Sequence, residues 1–404
     1  MRVLLLTQWF DPEPTFKGLV FARELVRQGF EVEVVTGFPN YPGGKLYPGY
    51  KIKFIQRELI EGVQVTRVPL YPSHGQSATG RVMNYVSFAA AALLYGVFGA
   101  KRPDVIYAYH PPLTVGMAAS LIRFFRRVPV VYDIQDMWPD TLRATGMVSN
   151  SRVLGIVGAF CKMVYRAVDH IVVLSPGFKP LLVGRGVPEQ KIDVIYNWCD
   201  EASMLNPVGA LPPDFPGSER FNIVFAGNMG KAQALDAVLA AAEIVQKKAP
   251  EIIFVFIGGG VEVDRLKELA KEKALKNVVF LKAVPMTAIG GVLSRADALL
   301  VHLRKDPLFT ITIPSKIQAY MAVGKPLLIA VDGDAADLVK AADCGVLAES
   351  ENAEAIAGAA MKLFAMSPAE RDAMAKRSQE YYQSNLSLKV GASRFGEIFK
   401  KLAK

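Results

Sequence analysis

The amino-acid sequence predicts an α/β protein made of two Rossmann-like domains in tandem, each built on a doubly wound parallel sheet. Short apolar runs alternate with helical patterns, the alternation breaks once near residue 206, and it then restarts. The 404 residues are also too many for one ordinary domain and suit two of about 150–200 residues.

The first half of the chain carries six near-continuously apolar runs that predict strands: VLLLT, FEVEVVTG, VIYAYH, PVVYDIQD, HIVVLS and KIDVIYN. Strands of this kind are buried on both faces because helices cover a parallel sheet from both sides. Residues 18–28 and 154–167 have helical patterns. Gly29 ends the first of these helices, since glycine accepts the left-handed conformation that commonly follows a helix.

The alternation stops at residues 206–219, NPVGALPPDFPGSE, where four prolines and two glycines rule out a helix or a central strand. We therefore predict an N-terminal domain over residues 1–200 and a C-terminal domain over 206–384. The last segment, about 385–404, is expected to be a helix that packs back on the first domain. The strands of the second domain are predicted at FNIVFAGN, IIFVFIGGG, NVVFLKAV, ADALLVHL and PLLIAV.

The amino-acid composition limits the classes of molecule that the protein is expected to bind. The 47 basic residues outnumber the 38 acidic ones, giving a net charge of +9 that suits nucleotide diphosphates, lipid phosphates or nucleic acid. Nucleic acid is the weaker interpretation because no helix-turn-helix or zinc-finger spacing occurs. No metal site is expected, because the cysteines and histidines are scattered: Cys161, Cys199, Cys344, His74, His110, His170 and His302. Unpaired cysteine spacing fits a reducing, cytoplasmic compartment.

One apolar stretch, residues 85–100 (YVSFAAAALLYGVFGA), carries no charge and is flanked by Arg81 and by Lys101 and Arg102. It is shorter than the roughly 20 residues that span a bilayer. The pattern favours a helix buried between the sheet and its neighbours. The alternative is a helix that lies in a membrane surface, with its flanking cations on anionic lipid.

Two loops of the second half predict an anion site. Gly227, Asn228 and Gly230 follow a strand, and Lys231 enters the next helix, so backbone N–H groups and an ammonium group point the same way. An ordinary turn with a solvated lysine is the alternative. Ser315 opens a later helix with Lys316 in its first turn, where the helix dipole disfavours a cation unless an anion is bound. Two such lysines suit a diphosphate.

In the first half, Asp133 and Asp136 follow the strand PVVY, three residues apart. They are candidates for a paired acid and base, and the alternative is a helix cap with a structural aspartate. His110 also follows a strand, but a lone histidine before two prolines is more often a packed loop residue.

The chain as a whole resembles the GT-B glycosyltransferases of glycosyltransferase family four, especially the bacterial members that extend lipid-linked sugars in O-antigen, capsule and exopolysaccharide synthesis. The matching segments stand in family order across nearly the whole chain: TQWFDPEPTFKG, DIQDMWPDT, VIYNWCD, VFAGNMGKAQ, FIGGG and PSKIQAYMAVGKP. The resemblance implies two domains facing each other across a cleft, retention of anomeric configuration, no required metal or cofactor, and a nucleotide-sugar donor held mainly by the second domain.

Carried over residue by residue, the resemblance implies the following roles. The donor, expected to be a UDP-sugar, places its base near Gly258, Gly259 and Val284. Lys231, Ser315 and Lys316 contact the diphosphate together with Gly227, Asn228 and Gly230, and Lys17 and Gly18 approach it from the first domain through backbone N–H groups. Asp136 and Gln135 lie beside the acceptor hydroxyl or the sugar, with His110 as a second candidate.

Four positions depart from the family pattern, and one of them is Lys17, which replaces one of two glycines that many relatives have there. Many members have two glutamates separated by seven residues, which correspond here to Ile311 and Ala319, and a histidine where this chain has Gln135. Because these groups touch the donor ribose and the reacting sugar in the family, the sequence leaves the sugar, the acceptor and the linkage open.

The resulting function prediction is transfer of a sugar to a lipid-linked saccharide by a cytoplasmic enzyme peripheral to the inner face of the cytoplasmic membrane. A UDP-sugar 2-epimerase of the same fold and a non-catalytic, membrane-associated scaffold are the alternatives. A dinucleotide oxidoreductase is a poor fit because no G-x-G-x-x-G follows the first strand.

Overall fold

The structure is a computed structural model that describes residues 1–73 and 78–403, so that His74 and Lys404 lie outside the described residues. The described chain divides into two compact units. Unit 1 comprises residues 1–196 and 388–404, and unit 2 comprises residues 197–387.

The sheet of unit 1 has eight strands in the order β3-β4-β2-β1-β5-β6-β7-β8. The central strands are buried at every position, as expected when helices cover both faces. Its strands are β1 Arg2–Leu6, β2 Glu31–Gly37, β3 Gln56–Ile60, β4 Val63–Val68, β5 Val105–His110, β6 Val130–Ile134, β7 His170–Val173 and β8 Ile192–Val194. The helices between them are α1 Leu19–Arg27, α2 Ala78–Leu94, α3 Leu113–Arg126, α4 Asp140–Ala144, α5 Ser151–Ala167 and α6 Phe178–Gly184.

The sheet of unit 2 has six parallel strands in the order β11-β10-β9-β12-β13-β14. Its elements are α7 Glu201–Leu205, β9 Phe221–Asn228, α8 Asp236–Lys248, β10 Ile252–Gly259, α9 Val263–Glu272, β11 Val278–Leu281, α10 Met286–Leu293, β12 Ala298–His302, α11 Pro307–Thr310, α12 Lys316–Val323, β13 Leu327–Ala330, α13 Asp334–Ala342, β14 Gly345–Leu347, α14 Ala353–Ala365 and α15 Pro368–Tyr381. Two Rossmann-like, parallel-sheet domains are therefore confirmed.

A β-hairpin at the edge of the first sheet was not predicted. β3 pairs antiparallel with β4 through the two-residue turn Glu61–Gly62, in which both residues have positive φ (48° and 83°). Such turns match the right-handed twist of the strands that they join. The prediction missed both strands of the hairpin. β3 is polar and half-exposed at the sheet edge, and polar residues interrupt β4 (VQVTRV), unlike the apolar runs that were used to predict strands.

The C-terminal helix α16, Leu388–Leu402, belongs to unit 1, where it packs against α1. Phe395 contacts the rings of Phe21 and Tyr107 at centroid distances of 5.3 and 5.4 Å. All three rings are buried, so α16 covers apolar surface that the first 196 residues leave open.

Helix α2 corrects a prediction. The apolar segment runs over Thr79–Gly99, continuing past α2 in a π-helical turn, and is 21 residues long, yet only 28% of its most apolar part is buried. Among the described residues it is the one helix long and apolar enough to cross a membrane by length and composition alone. The expectation of a helix buried between the sheet and its neighbours was therefore wrong for its outward side.

Candidate functional site

The carboxyl ends of β9 and β10 form a glycine-lined edge in unit 2. Gly227, Gly258 and Gly260 have φ of 133°, 142° and 146°, in the region where glycine is strongly favoured. A Cβ on Gly258 would collide with the carbonyl oxygen of Gly227. The Met229 N–H donates to the Gly259 carbonyl at 2.7 Å, which holds the two loops together. Backbone can thus approach a ligand closely at this edge.

Lys316, at the first position of α12, points its ammonium group at this glycine-lined edge. Nζ lies 3.5 Å from the Phe225 ring centroid and 3.5 Å from the place that a Cβ of Gly227 would take. The residue is half-buried overall, but Nζ itself is out of contact with solvent, and no hydrogen-bond acceptor for it lies among the described residues. Burial lowers the pKa of Lys316 to about 7.

The position of Lys316 is fixed by its own helix. The Tyr320 hydroxyl accepts from the Ala226 N–H at 2.9 Å, which anchors α12 to the end of β9. Ser315, the N-cap residue of α12, is exposed beside it. A buried ammonium group without an acceptor is costly unless a bound anion pairs with it. The arrangement therefore favours binding of an anion beside Lys316.

Lys231 lies in the loop that follows β9, where it is exposed. The Gly230 N–H donates to Gln233 Oε1 at 3.0 Å, which shapes the turn before it. A pocket of about 280 Å³ opens here, with Gly230, Lys231 and Arg304 among its lining residues. Arg265 also lines it, but it is paired with Asp236 and Glu262, both at 2.6 Å. Lys316 lies by Gly227 and does not line this pocket.

The remaining predicted residues of unit 2 follow the neighbouring strands. Asn228 ends β9 and Gly259 ends β10, both exposed, and Val284 is half-buried in the loop after β11. Because parallel strands end at one edge of a sheet, these residues share the edge that carries Lys231 and Lys316. The structure thus places all the predicted donor residues of unit 2 along one edge.

Sequence reasoning missed the contribution of β12. His302 is buried at the end of this strand; its Nδ1 donates to the Gln233 carbonyl at 2.6 Å and its Nε2 accepts from the Glu351 N–H at 3.1 Å. The Arg304 N–H donates to the Ala232 carbonyl at 2.9 Å. These bonds brace the loop that carries Lys231. The signal available was the run VHLRK at the end of the predicted strand ADALLVHL.

In unit 1 the structure gathers Lys17, Asp133 and Gln135 into an internal cluster. The fully buried Lys17 Nζ lies 3.4 Å from Asp133 Oδ2 and 4.8 Å from the Phe395 ring centroid. Asp133 also accepts from the Tyr107 hydroxyl at 2.5 Å and from Gln135 Nε2 at 2.6 Å. Burial is the main cause that lowers the pKa of Lys17, against the opposing effect of Asp133.

This cluster corrects two expectations. The Lys17 side chain is enclosed as the counter-ion of Asp133, whereas the expectation for Lys17 and Gly18 concerned their backbone N–H groups. The Leu19 N–H, at the start of α1 beside Gly18, donates to Asp11 Oδ2 at 2.6 Å, so the protein's own carboxylate already takes one N–H group of the helix N-terminus that was expected to approach the diphosphate. Asp133 is likewise a structural aspartate and not one half of an acid–base pair.

His110 and Asp136 remain at the carboxyl edge of the first sheet. His110 is buried edge-on against Trp138 and Tyr132, with centroid distances of 5.3 and 5.8 Å, and burial lowers its pKa to about 3. It therefore stays neutral, which fits packing better than acid catalysis. Asp136 is half-buried, and burial raises the pKa of its carboxyl group.

Two further features of this edge were not predicted. Glu13 is buried and accepts the N–H groups of Asn40 and Tyr41, both at 2.7 Å; burial raises its pKa to about 7. The ring of Tyr41 lies 4.7 Å from that of Trp9, which also contacts Tyr85 at 6.4 Å. The edge therefore carries a half-buried aromatic cluster.

Two Rossmann-like sheets, with a glycine-lined candidate anion site at the carboxyl edge of the second, are features of the GT-B class of nucleotide-sugar-dependent transferases. Residues 19–198 match the model of the glycosyl transferase 4-like domain, and residues 215–381 match that of the glycosyl transferases group 1. The chain belongs to glycosyltransferase family four, and it is a retaining glycosyltransferase that uses a nucleotide-sugar donor.

Similar proteins of known name agree with this assignment. WcaI of Escherichia coli K12, named as a colanic acid biosynthesis glycosyl transferase, is 27% identical over 82% of this chain and 84% of its own length. WbjE of Pseudomonas aeruginosa, named as a glycosyltransferase, is 25% identical over 58% of each chain. HepE of Anabaena, solved with UDP, shares the fold with a TM-score of 0.69 at 15% identity, with both chains fully covered.

Proposed function

We propose that the protein transfers a sugar from a UDP-sugar to a lipid-linked saccharide in the synthesis of a bacterial surface polysaccharide. The observation that carries the donor half of this proposal is the buried Lys316 ammonium group beside Gly227, which lacks an acceptor among the described residues. The UDP in the HepE structure supports uracil as the base, and the name of WcaI supports a polysaccharide product.

The proposed reaction breaks the bond between the anomeric carbon and the donor diphosphate and forms one to the acceptor oxygen on the same face. Negative charge develops on the leaving diphosphate, and Lys316, Lys231 and the hydroxyl of Ser315 offset it. A preorganised cation of this kind is the largest catalytic contribution that these residues offer. The acceptor proton passes to an oxygen of the leaving diphosphate, while Asp136 and Gln135 position the acceptor hydroxyl.

The acceptor half of the proposal concerns unit 1. The rings of Trp9, Tyr41 and Tyr85 offer apolar faces at the carboxyl edge, where a saccharide can pack. A lipid-linked acceptor stays in the bilayer, so the enzyme that uses it is proposed to be cytoplasmic and peripheral to the inner face of the cytoplasmic membrane.

The first experiment is a thermal-shift screen against UDP, GDP, ADP and CMP, with and without EDTA, on the wild type and on Lys316→Ala. We expect UDP alone to stabilise the wild type, by about 2.7 kcal/mol at a concentration of 100 Kd, with no effect of EDTA. The Lys316→Ala variant should lose most of this shift. Normal donor affinity and turnover in Lys316→Ala would refute the assignment.

Donor-only incubation then tests the reaction type. A transferase leaves the configuration at C2 of the donor sugar unchanged, whereas a 2-epimerase inverts it without any acceptor. No shift with any nucleotide, together with no turnover, would instead favour a scaffold.

A further inference from the structure

Three neighbouring helices of unit 1 expose a continuous apolar surface to solvent. We propose that the outer side of α2, α3 and α5, named here the three-helix face, inserts into the interface of an anionic phospholipid monolayer. This inference deepens the proposed peripheral location and rests on it for its biological setting, but the residues that carry it take no part in the proposed transferase reaction.

The three helices pack side by side. The π-helical turn that ends α2 places Gly96 against Ile122 of α3, and Arg126 of α3 donates to the carbonyls of Val97 and Ala100 at 2.6 and 3.1 Å. On its other side, α3 brings Gly116 close to Val164 of α5. The helices therefore present one joined surface.

This surface is unusually apolar for a region in contact with water. Phe98, in the π-helical turn that follows α2, is 82% exposed, Phe124 and Phe125 on α3 are 73% and 61% exposed, and Ile156 on α5 is 58% exposed. Val86 and Leu94 extend the same surface along α2, with more than half of each exposed. Contiguous apolar patches of this kind mark a membrane or protein contact.

The charges on these helices select the partner. Residues 78–102, 113–127 and 151–167 each carry three basic residues and no acidic residue, although the whole chain has 38 acidic residues. Lys101, Arg102, Arg127, Lys162 and Arg166 are exposed near the helix ends that carry the aromatic residues. Cations at helix C-termini are also favoured by the dipole, but that effect does not explain the exposed phenylalanines beside them. Apolar rings with flanking cations match an anionic lipid interface.

The contacts of α2 argue against a transmembrane span. Asn84 donates to the carbonyl of Tyr71 at 2.7 Å, and the hydroxyl of Tyr95, in the turn that follows, donates to Glu33 at 2.7 Å. Phe88 and Ala92 are buried in unit 1. Crossing the bilayer would break these contacts and expose polar groups to hydrocarbon. A second copy is also disfavoured, because two such faces would bring like charges together.

The test uses the full chain and vesicles of phosphatidylcholine with or without phosphatidylglycerol. We expect flotation with the anionic vesicles only, weakened by salt. Phe98→Ser and Phe124→Ser should each lower the partition coefficient by about tenfold, and Lys101→Glu with Arg102→Glu by about fivefold or more per charge. Phe54→Ser is the matched control, since Phe54 is 81% exposed in unit 1 but outside the three-helix face.

Depth is measured with Phe98→Trp and Phe54→Trp in vesicles of brominated lipid. We expect the fluorescence of Phe98→Trp to be quenched at interfacial depth, about 5–10 Å. The fluorescence of the tryptophan in Phe54→Trp should not be quenched. Quenching at the bilayer centre would indicate a span, a concentration-dependent dimer lost in Phe98→Ser would indicate a second copy, and absence of vesicle binding would indicate neither; each of these results overturns the proposal.

The proposed donor site and the proposed membrane contact can be tested independently of each other. Lys316→Ala should bind anionic vesicles like the wild type, and Phe98→Ser should bind UDP like the wild type. Loss of UDP binding alone would refute the donor site while leaving the three-helix face intact.

Discussion

The surroundings of the Lys316 side chain indicate that an anionic ligand binds beside it. Its Nζ is out of solvent and lies over the Phe225 ring, and its pKa is lowered by burial to about 7. The unfolded chain binds the proton up to the ordinary value of 10.5. Between those values the unfolded state holds more protons, so this group makes the folded state less stable as the pH falls from 10.5 to 7. The protein therefore keeps a group that costs stability in the absence of a ligand.

Replacing this lysine should separate stability from binding. Lys316→Met keeps the side-chain volume and removes the buried amine, so we expect the free energy of unfolding to rise by on the order of 1 kcal/mol. UDP affinity should fall by about ten- to a hundredfold, and turnover by about a hundredfold or more. Urea denaturation measures the free energy of unfolding, and calorimetric titration measures the UDP affinity. Lys340→Met, at an exposed position of α13, is the control and should change neither.

The same group predicts a pH dependence of donor binding. A bound diphosphate raises the pKa of Lys316 above its value of about 7 in the free protein, so that binding takes up a proton above pH 7. The affinity for a UDP-sugar should consequently fall by up to about tenfold per pH unit above pH 7. In Lys316→Arg the cation does not titrate, and the dependence should disappear. A flat profile in the wild type would contradict the assignment.

At the scale of elements, the carboxyl ends of β9 and β10 pack closely together because their glycines allow the two backbones to approach each other. Gly258→Ala places a Cβ against the Gly227 carbonyl at a φ of 142°, which should cost about 2 kcal/mol or more and weaken UDP binding. At the adjacent Gly259 a Cβ meets no atom within 4 Å, so Gly259→Ala is the matched control for stability. Equal urea midpoints for the two variants would contradict this account.

Helix α16 makes a second prediction about elements. Phe395 packs between Phe21 and Tyr107 and lies over the Lys17 ammonium group. Phe395→Ala should destabilise unit 1 by about 3–5 kcal/mol, because it leaves a cavity and uncovers a buried cation. Arg394→Ala, one residue earlier and exposed, should have almost no effect on the denaturation midpoint.

For the whole molecule, the assignment of the donor to unit 2 predicts where a nucleotide slows hydrogen exchange. UDP should protect residues 227–234, 258–262, 302–304 and 314–318, the loops along one edge of the second sheet. Residues 17–18 and 133–136 of unit 1 should change less, because Lys17 and Gln135 are already paired with Asp133 and the adjacent Leu19 N–H already donates to Asp11. Strongest protection in unit 1 would reverse the assignment.

The sequence was sufficient for most strands of both sheets and for the placement of Lys316, because apolar strands and a cation in a first helical turn are local patterns. It missed β3, β4 and β14. It was not sufficient for Lys17. Nothing local to Lys17-Gly18 distinguishes a lysine that contacts a ligand from one that is paired with Asp133, 116 residues later. The outward side of α2 escaped prediction for a related reason, since an alanine-rich helix has no polar stripe that marks its exposed side. His302 braces a loop through contacts that only the fold brings together.

The position of α16 has a consequence for biosynthesis. Unit 1 needs residues that the ribosome adds only after all 191 residues of unit 2, numbers 197 to 387, have been made. At bacterial or eukaryotic rates this interval lasts about 10–40 seconds. During that time the rings of Phe21 and Tyr107 lack their contact with Phe395. Unit 2 can already fold in the same interval. The unit that is translated first is therefore the one that finishes folding last.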